Sequence, residues 1–215
     1  MREISGSLPA SIKKVQLSMD KPFSQACENN REPIFNALRS FIADKTSVPE
    51  IGSGTGQHAV WFAHQLPHLV WQTSDLPQNH PGIQLWLEEQ PSPNLRPPIA
   101  LDMLVDAWPE TSYDVIYSAN TAHIMPWQGV VNMLSQVGLH LLSGGLFCLY
   151  GPMAYAGEIA PQSNVLFDQH LRQQAAHMGI RDFHDINRLA LNAGLVLLDD
   201  HPMPANNRLL IWEKA

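Results

Sequence analysis

The chain has 215 residues, enough for one α/β domain and too few for a second of ordinary size. Of these 45% are apolar, and the formal net charge of -7 comes with no Lys/Arg run longer than Lys13-Lys14, so the basic footprint of a nucleic-acid binder is missing. No apolar run approaches the roughly 20 residues that span a bilayer, the N-terminus lacks the apolar core of a secretory signal, and Cys27 and Cys148 make no CxxC pair. The expectation is a cytoplasmic protein with neither a membrane nor a nucleic-acid partner.

Residues 1–22 read as a flexible leader and 23–215 as a single domain. Ile34, Phe35, Leu38, Phe41 and Ile42 recur at helical spacing and predict a helix over 31–43, with Pro33 in its first turn. A strand over 47–51 runs into Gly52-Ser53-Gly54-Thr55-Gly56, and a helix over 57–65 follows. Strands are predicted over 69–73, ending at Ser74-Asp75, and over 98–101, ending at Asp102, with a short helix over 81–89 between them. YDVIYS, 113–118, reads as a strand buried on both faces. Val130 to Leu142 repeat at helical spacing up to Gly144-Gly145, expected to end that helix. LFCLY, 146–150, is the fifth strand, and 152–162 reads as loop. Helices are predicted over 164–178 and from an Asp182 cap to Gly194. The last two strands, 195–198 and 209–212, are joined too closely for a parallel crossover and should pair antiparallel. The sum is a doubly wound, seven-stranded mixed α/β sheet, Rossmann-like, closing on a C-terminal antiparallel pair.

Three strand ends carry groups able to hold a ligand. Gly52, Gly54 and Gly56 allow positive φ and close approach to the backbone, at the mouth of a helix N-terminus. Asp75, ending the second strand, suits a ribose diol. Asp102 suits an adenine amine, with Met103 packing on the ring. A dinucleotide fingerprint, G-x-G-x-x-G, needs glycine at 57, where the chain has Gln57. Glu50 beside the loop repels a pyrophosphate and accepts a sulfonium with an ammonium group. Both points favour S-adenosylmethionine over a nicotinamide cofactor. Arg31 suits the methionine carboxylate through paired hydrogen bonds. Asn120, His123 and Tyr150, at or after the ends of central strands, are the candidates for the methyl-transfer face, with His123 as general base. The plainer readings stand beside these: a tight turn for the glycines, an Asx-turn at Asp75, a cap at Asp102, a surface pair of Glu28 with Arg31, loop support by His123, and a half-buried strand residue at Tyr150. The ten histidines show no metal-ligand spacing, and no metal site is expected.

These features resemble class I S-adenosylmethionine-dependent methyltransferases. A closer resemblance, from about Phe23 to Lys214, is to the methyltransferase-like 26 family. It rests on Ala26 to Ile34, on Gln57-His58 after the glycines, on Ser118-Ala119-Asn120 with His123-Ile124, on Tyr150-Gly151-Pro152, on Ser163-Asn164 with Phe167-Asp168, on Gly179 to Asp182 and on Met203 to Asn207. The chain departs from that pattern at Asn29, Met153 and Met178. The resemblance implies a seven-stranded methyltransferase fold and cofactor binding, and it names no acceptor. The expected function is methyl transfer to a small molecule. The alternative is a catalytically silent binder that senses S-adenosylmethionine or S-adenosylhomocysteine, or that serves as a partner subunit. The sequence sets no oligomeric state.

Overall fold

The computed structural model describes residues 20–109 and 111–215. The expected leader lies outside them except for 20–22, and these last residues are docked. Lys21 pairs with Glu89 at 2.6 Å and sits over the Trp86 ring, whose indole N–H donates to the Pro22 carbonyl at 2.7 Å. In chain order follow α1 (Gln25–Leu38), β1 (Ser47–Ile51), α2 (Gln57–Gln65), β2 (Val70–Asp75), α3 (His80–Glu89), β3 (Leu95–Ala100), β4 (Tyr113–Ala119), α4 (Trp127–His140), β5 (Leu141–Ala154), α5 (Gln162–Gln174), β6 (Arg181–Asp182), α6 (Phe183–Asn192), β7 (Leu195–Met203) and β8 (Asn207–Lys214).

The strands lie in the order β3-β2-β1-β4-β5-β8-β7, with the two-residue β6 paired to the end of β5. The first five are parallel to their neighbours; β8 runs antiparallel to both β5 and β7, as the short connection predicts. Winding outward from β1 to β3 and then crossing to β4 creates a switch point between β1 and β4, the place where open α/β sheets bind ligands.

Alternation along each central strand divides the core into two layers. Val115 and Tyr117 of β4, Cys148 and Tyr150 of β5, and Leu209 and Ile211 of β8 pack with α1, α2 and α3. Their neighbours Ile116, Phe147, Leu149, Leu210 and Trp212 face α4 and α6. Asp182 caps α6 as expected, accepting from the His184 N–H at 2.8 Å.

Several boundaries differ from the sequence reading. Helix α1 starts at Gln25, capped by Ser24, and stops at Leu38, so Pro33 falls inside it rather than in its first turn. The opening stretch Gln25–Asn30 has no apolar period because one side of it faces a cavity. Strand β3 begins at Leu95 and carries Pro97 and Pro98, which an edge strand tolerates. Gly144-Gly145 do not end α4, which stops at His140; they lie inside β5, where the β4–β5 register shifts between Tyr113 and Val115. Strand β5 then continues through Pro152 to Ala154, over part of the expected loop.

Candidate active site

A cavity of about 1100 Å³ opens at the carboxyl edge of the parallel strands, over the switch point. Its near half is built from the turns after β1, β2 and β3. The glycine loop is held in place from below: Ser53 N–H donates to the Ser74 carbonyl at 2.9 Å and Ser74 Oγ to the Glu50 carbonyl at 2.7 Å. Gly52 lines the cavity at φ +71, and a Cβ there would stand 2.5 Å from Thr121 Cγ2. Gly54 also lines it, with nothing within 4 Å of an added Cβ. Gly56 does not. It caps α2 at φ +90 against the backbone of Ile83 in α3, so its role is helix packing.

Asp75 lines the cavity and is already engaged. Oδ2 accepts from the Gly54 N–H at 2.6 Å, and Oδ1 from the Leu76 N–H and the Asn79 amide, each at 2.7 Å. Three of the roughly four lone-pair sites of a carboxylate are thereby used. The remaining one can meet a single hydroxyl without disturbing the loop. Glu50 is 2% exposed and accepts from the Trp71 indole at 3.1 Å. Burial pushes its carboxyl up to about 7, against the donors Trp71 and Ser53 and with help from Asp75. It is therefore partly protonated near neutrality, and a cation placed beside it favours the ionised form. Asp102 and Met103 line the same half. Asp102 Oδ1 caps its own turn through the Leu104 N–H at 2.9 Å, and the Met103 carbonyl is held by the Asn132 amide at 2.8 Å.

The far half is bounded by α1, the turn after β4, the start of α5 and the turn between β7 and β8. Because β8 runs against β5, that last turn returns to the carboxyl edge, with Asn207 in register with Pro152. Asn120 and His123 both line this half and converge on Gly151. An added Cβ at Gly151 would lie 3.6 Å from His123 Nδ1 and 4.0 Å from Asn120 Oδ1. His123 is 6% exposed, with its ring edge-on to Phe167. Burial, and secondarily the Arg181 cation, lower its pKa to about 4. It is thus a neutral imidazole at physiological pH, able to accept a proton. Arg181 itself donates to three carbonyls, Ala122 at 2.9 Å, Met125 at 2.7 Å and His177 at 2.8 Å, and so fixes the loop that carries His123.

Besides Gly56, two candidates lie off the cavity wall. Arg31 pairs with Glu28 at 2.7 Å and lies over the Trp61 ring, the surface pair named as its plainer reading. Tyr150 is packed in the core with α1 and α2. Its phenol, raised by burial, rests against Asn30 and Asn207, both of which do line the cavity.

Residues not singled out from the sequence complete the wall. Asn30 and His58 are both buried, with Asn30 Oδ1 2.6 Å from His58 Nε2. Burial lowers His58 to about 4. Gln57, the residue that breaks the dinucleotide pattern, clamps α1 to α2. Its Oε1 accepts from the Ser24 N–H at 2.5 Å, and its Nε2 donates to Glu28 at 2.8 Å and to the Ser24 carbonyl at 3.3 Å. The advance signal of Asn30 and His58 was that they fall within the resembling stretches; Gln57 falls there too and also stood out as the break in the dinucleotide pattern. Among the described residues no cluster of three or more His, Cys, Asp or Glu could hold a metal ion, and no helix is long and apolar enough to cross a membrane.

Solved structures similar to this chain include methyltransferases. An O-methyltransferase family protein from Burkholderia thailandensis superposes with a TM-score of 0.77 at 16% identity, over 88% of this chain and 57% of that one. Human N-acetylserotonin methyltransferase in complex with SAM gives 0.72 at 16% identity, over 88% and 53%. An O-methyltransferase family 2 protein from Planctomyces limnophilus in complex with apigenin gives 0.70 at 16% identity, over 87% and 62%. The chain spans little more than half the length of these neighbours, and the likeness is one of fold: the sheet matches the Rossmann-like sheet of these methyltransferases. Residues 21–214 match the family model described as a protein of unknown function, DUF938, and the chain belongs to that family.

Proposed function

We propose that the protein is a cytoplasmic S-adenosylmethionine-dependent methyltransferase for a small molecule, with residues 23–215 as its single domain. The observation that carries the reading is continuity: the glycine loop, Glu50 and Asp75 open onto the same cavity as Asn120 and His123. S-adenosylmethionine, when bound, supplies a methyl group already activated on a sulfonium. In this chain Gly52 and Gly54 give the backbone room, Asp75 offers its remaining lone pair to a ribose hydroxyl, and Asp102 with Met103 borders the adenine. Glu50 favours a positively charged ligand end by ionising beside it. His123, neutral and held through Arg181, takes the proton that the acceptor gives up, and Asn120 orients the acceptor. Arg31, on Trp61, and Tyr150, in the core, enter as supports of the α1 wall rather than as contacts.

The likeness to the methyltransferase-like 26 family gains support from where its stretches lie. Asn30, His58, Asn120, Asn164 and Asn207 come from five of them and meet at one cavity. A silent sensor or partner subunit is the second reading, favoured by the commitment of Tyr150 to the core, which leaves His123 as the one cavity-lining base of the original trio. Calorimetric titration with S-adenosylhomocysteine and with NAD separates the cofactors. Binding of the first alone is expected; binding of NAD alone would overturn the reading. Methyl transfer from S-adenosylmethionine to any acceptor then decides against the sensor.

A further inference from the structure

The backbone is strained at the cavity's far half. Among the described residues four non-glycine positions have positive φ, and three of them line the cavity: Asn120 at φ 57, Ala205 at φ 56 and Asn206 at φ 58. Such conformations persist where the surroundings impose them, and they gather at ligand sites. Two of the three lie on the β7–β8 turn, which the fold carries back over the cavity and which nothing in the cofactor half requires. The turn is tied to α5. The Asn164 amide donates to the Asn206 carbonyl at 3.1 Å, and the Asn206 amide to Ser163 Oγ at 3.2 Å.

Apart from the imidazoles of His123 and His177, the polar chemistry of this half is mostly that of amides. Five asparagines line it, Asn30, Asn120, Asn164, Asn206 and Asn207; Asn164, Asn206 and Asn207 donate to protein groups around the turn and keep their amide oxygens as acceptors. Between them stand apolar groups, among them Phe167, Met178 and Ile124. The carboxylates that reach the cavity, Glu50, Asp75 and Asp102, belong to the other half, and among the described residues no lysine or arginine lines the wall. An amide offers both a donor and an acceptor and no charge. An anion brought here would lose its hydration and find the Arg181 guanidinium off the wall, already donating to the Ala122, Met125 and His177 carbonyls, which is costly in a partly enclosed site. A molecule with an apolar body and neutral hydroxyl or amide groups meets partners of both kinds.

We propose that the β7–β8 turn, with Asn120 and Asn30 opposite, forms an acceptor subsite that selects uncharged, hydroxyl- or amide-bearing molecules with an apolar body and rejects carboxylates and phosphates. The proposal rests on the methyltransferase reading for the other half of the cavity and names the acceptor class for this one.

The test uses the full chain saturated with S-adenosylhomocysteine and matched pairs of probes: catechol against 3,4-dihydroxybenzoate, benzamide against benzoate, and 4-methoxyphenol against 4-methoxyphenyl phosphate. Binding is read by calorimetry. The neutral member of at least one pair should bind about tenfold or more tighter than its anionic partner. Asn206→Gly keeps the turn's backbone open to positive φ while deleting the amide, and should weaken that neutral probe by about tenfold, the worth of one hydrogen bond. Asn206→Lys should narrow or reverse the preference. Equal or tighter binding of the anions, an Asn206→Gly variant with unchanged affinity, or binding of no probe by a protein that does bind S-adenosylhomocysteine would each overturn the acceptor proposal and leave the cofactor reading standing. Failure to bind S-adenosylhomocysteine overturns both.

Discussion

The two halves of the cavity are held by different means. The near half is made of glycine backbone and of carboxylates engaged with the turns that carry them: Asp75 spends most of its lone pairs, on Gly54, Leu76 and Asn79, and Asp102 one, on Leu104. The far half is made of neutral amides, the imidazoles of His58 and His123 kept uncharged by burial, and the exposed His177. One half is therefore ready for a ligand that brings positive charge, and the other for one that brings none. The difference separates the cofactor problem from the acceptor problem within a single fold. A change in one half should leave a distinct signature from a change in the other.

The largest expected effect comes from His123→Ala. Loss of a general base costs about 10²–10⁴-fold in turnover, while cofactor affinity, set in the near half, stays within a few-fold. Methyl transfer and S-adenosylhomocysteine calorimetry on the one variant check it, and parallel loss of both would dissolve the division. Asp75→Ala is the converse. It removes the acceptor of two backbone N–H groups and one amide, and cofactor affinity should drop by about 1.5–3 kcal/mol. Unchanged calorimetry would remove Asp75 from the site.

Acid titration of stability sharpens the contrast between the halves. His58 and His123 titrate at about 4 in the fold and near 6.5 in the unfolded chain, so the unfolded chain binds two extra protons as pH falls below 6.5 and stability is lost. Glu50 acts in reverse: it keeps a proton up to about 7 in the fold that the unfolded chain gives up near 4.5, so its contribution fades as pH rises through that window. Between 4.5 and 6.5 the balance is one proton, and stability should fall by about 1.4 kcal/mol per unit of acidification. Glu50→Gln removes the opposing group and should steepen the slope to about 2.7 kcal/mol per unit. Urea denaturation across this range measures both. The smallest effect is a gain. Ala205→Gly relieves a left-handed alanine on the far rim and should stabilise the fold by about 1 kcal/mol; a loss of stability would mean that the turn stores no strain.

The near half was legible in the sequence because its parts are local. A glycine run follows a strand, and acids end the next two, so strand ends alone locate them. Of the far half only Asn120 and His123, which follow a strand end, were legible in that way; the rest is assembled by topology. Asn206 and Asn207 belong to a hairpin whose reach depends on β8 running back along β5, a register that no local pattern encodes. Asn30 was hidden for another reason: the first turns of α1 are polar, being held by Gln57 rather than by apolar packing, and so carry no helical period. Tyr150 was misplaced by position in the strand. It ends LFCLY, but alternation turns it toward α1, and the strand runs four residues further. The Gly144-Gly145 stop failed because those residues are spent on a register shift inside β5.

Gln57 carries a consequence for descent. A glycine at that position would complete the dinucleotide pattern and would at the same time release both backbone groups of Ser24 and the Glu28 carboxylate, the three partners that hold the opening turns of α1 against the cavity. The chain cannot drift toward a nicotinamide cofactor by that single exchange and keep its acceptor wall. One side chain makes the two inheritances, what is bound and what is acted on, change together.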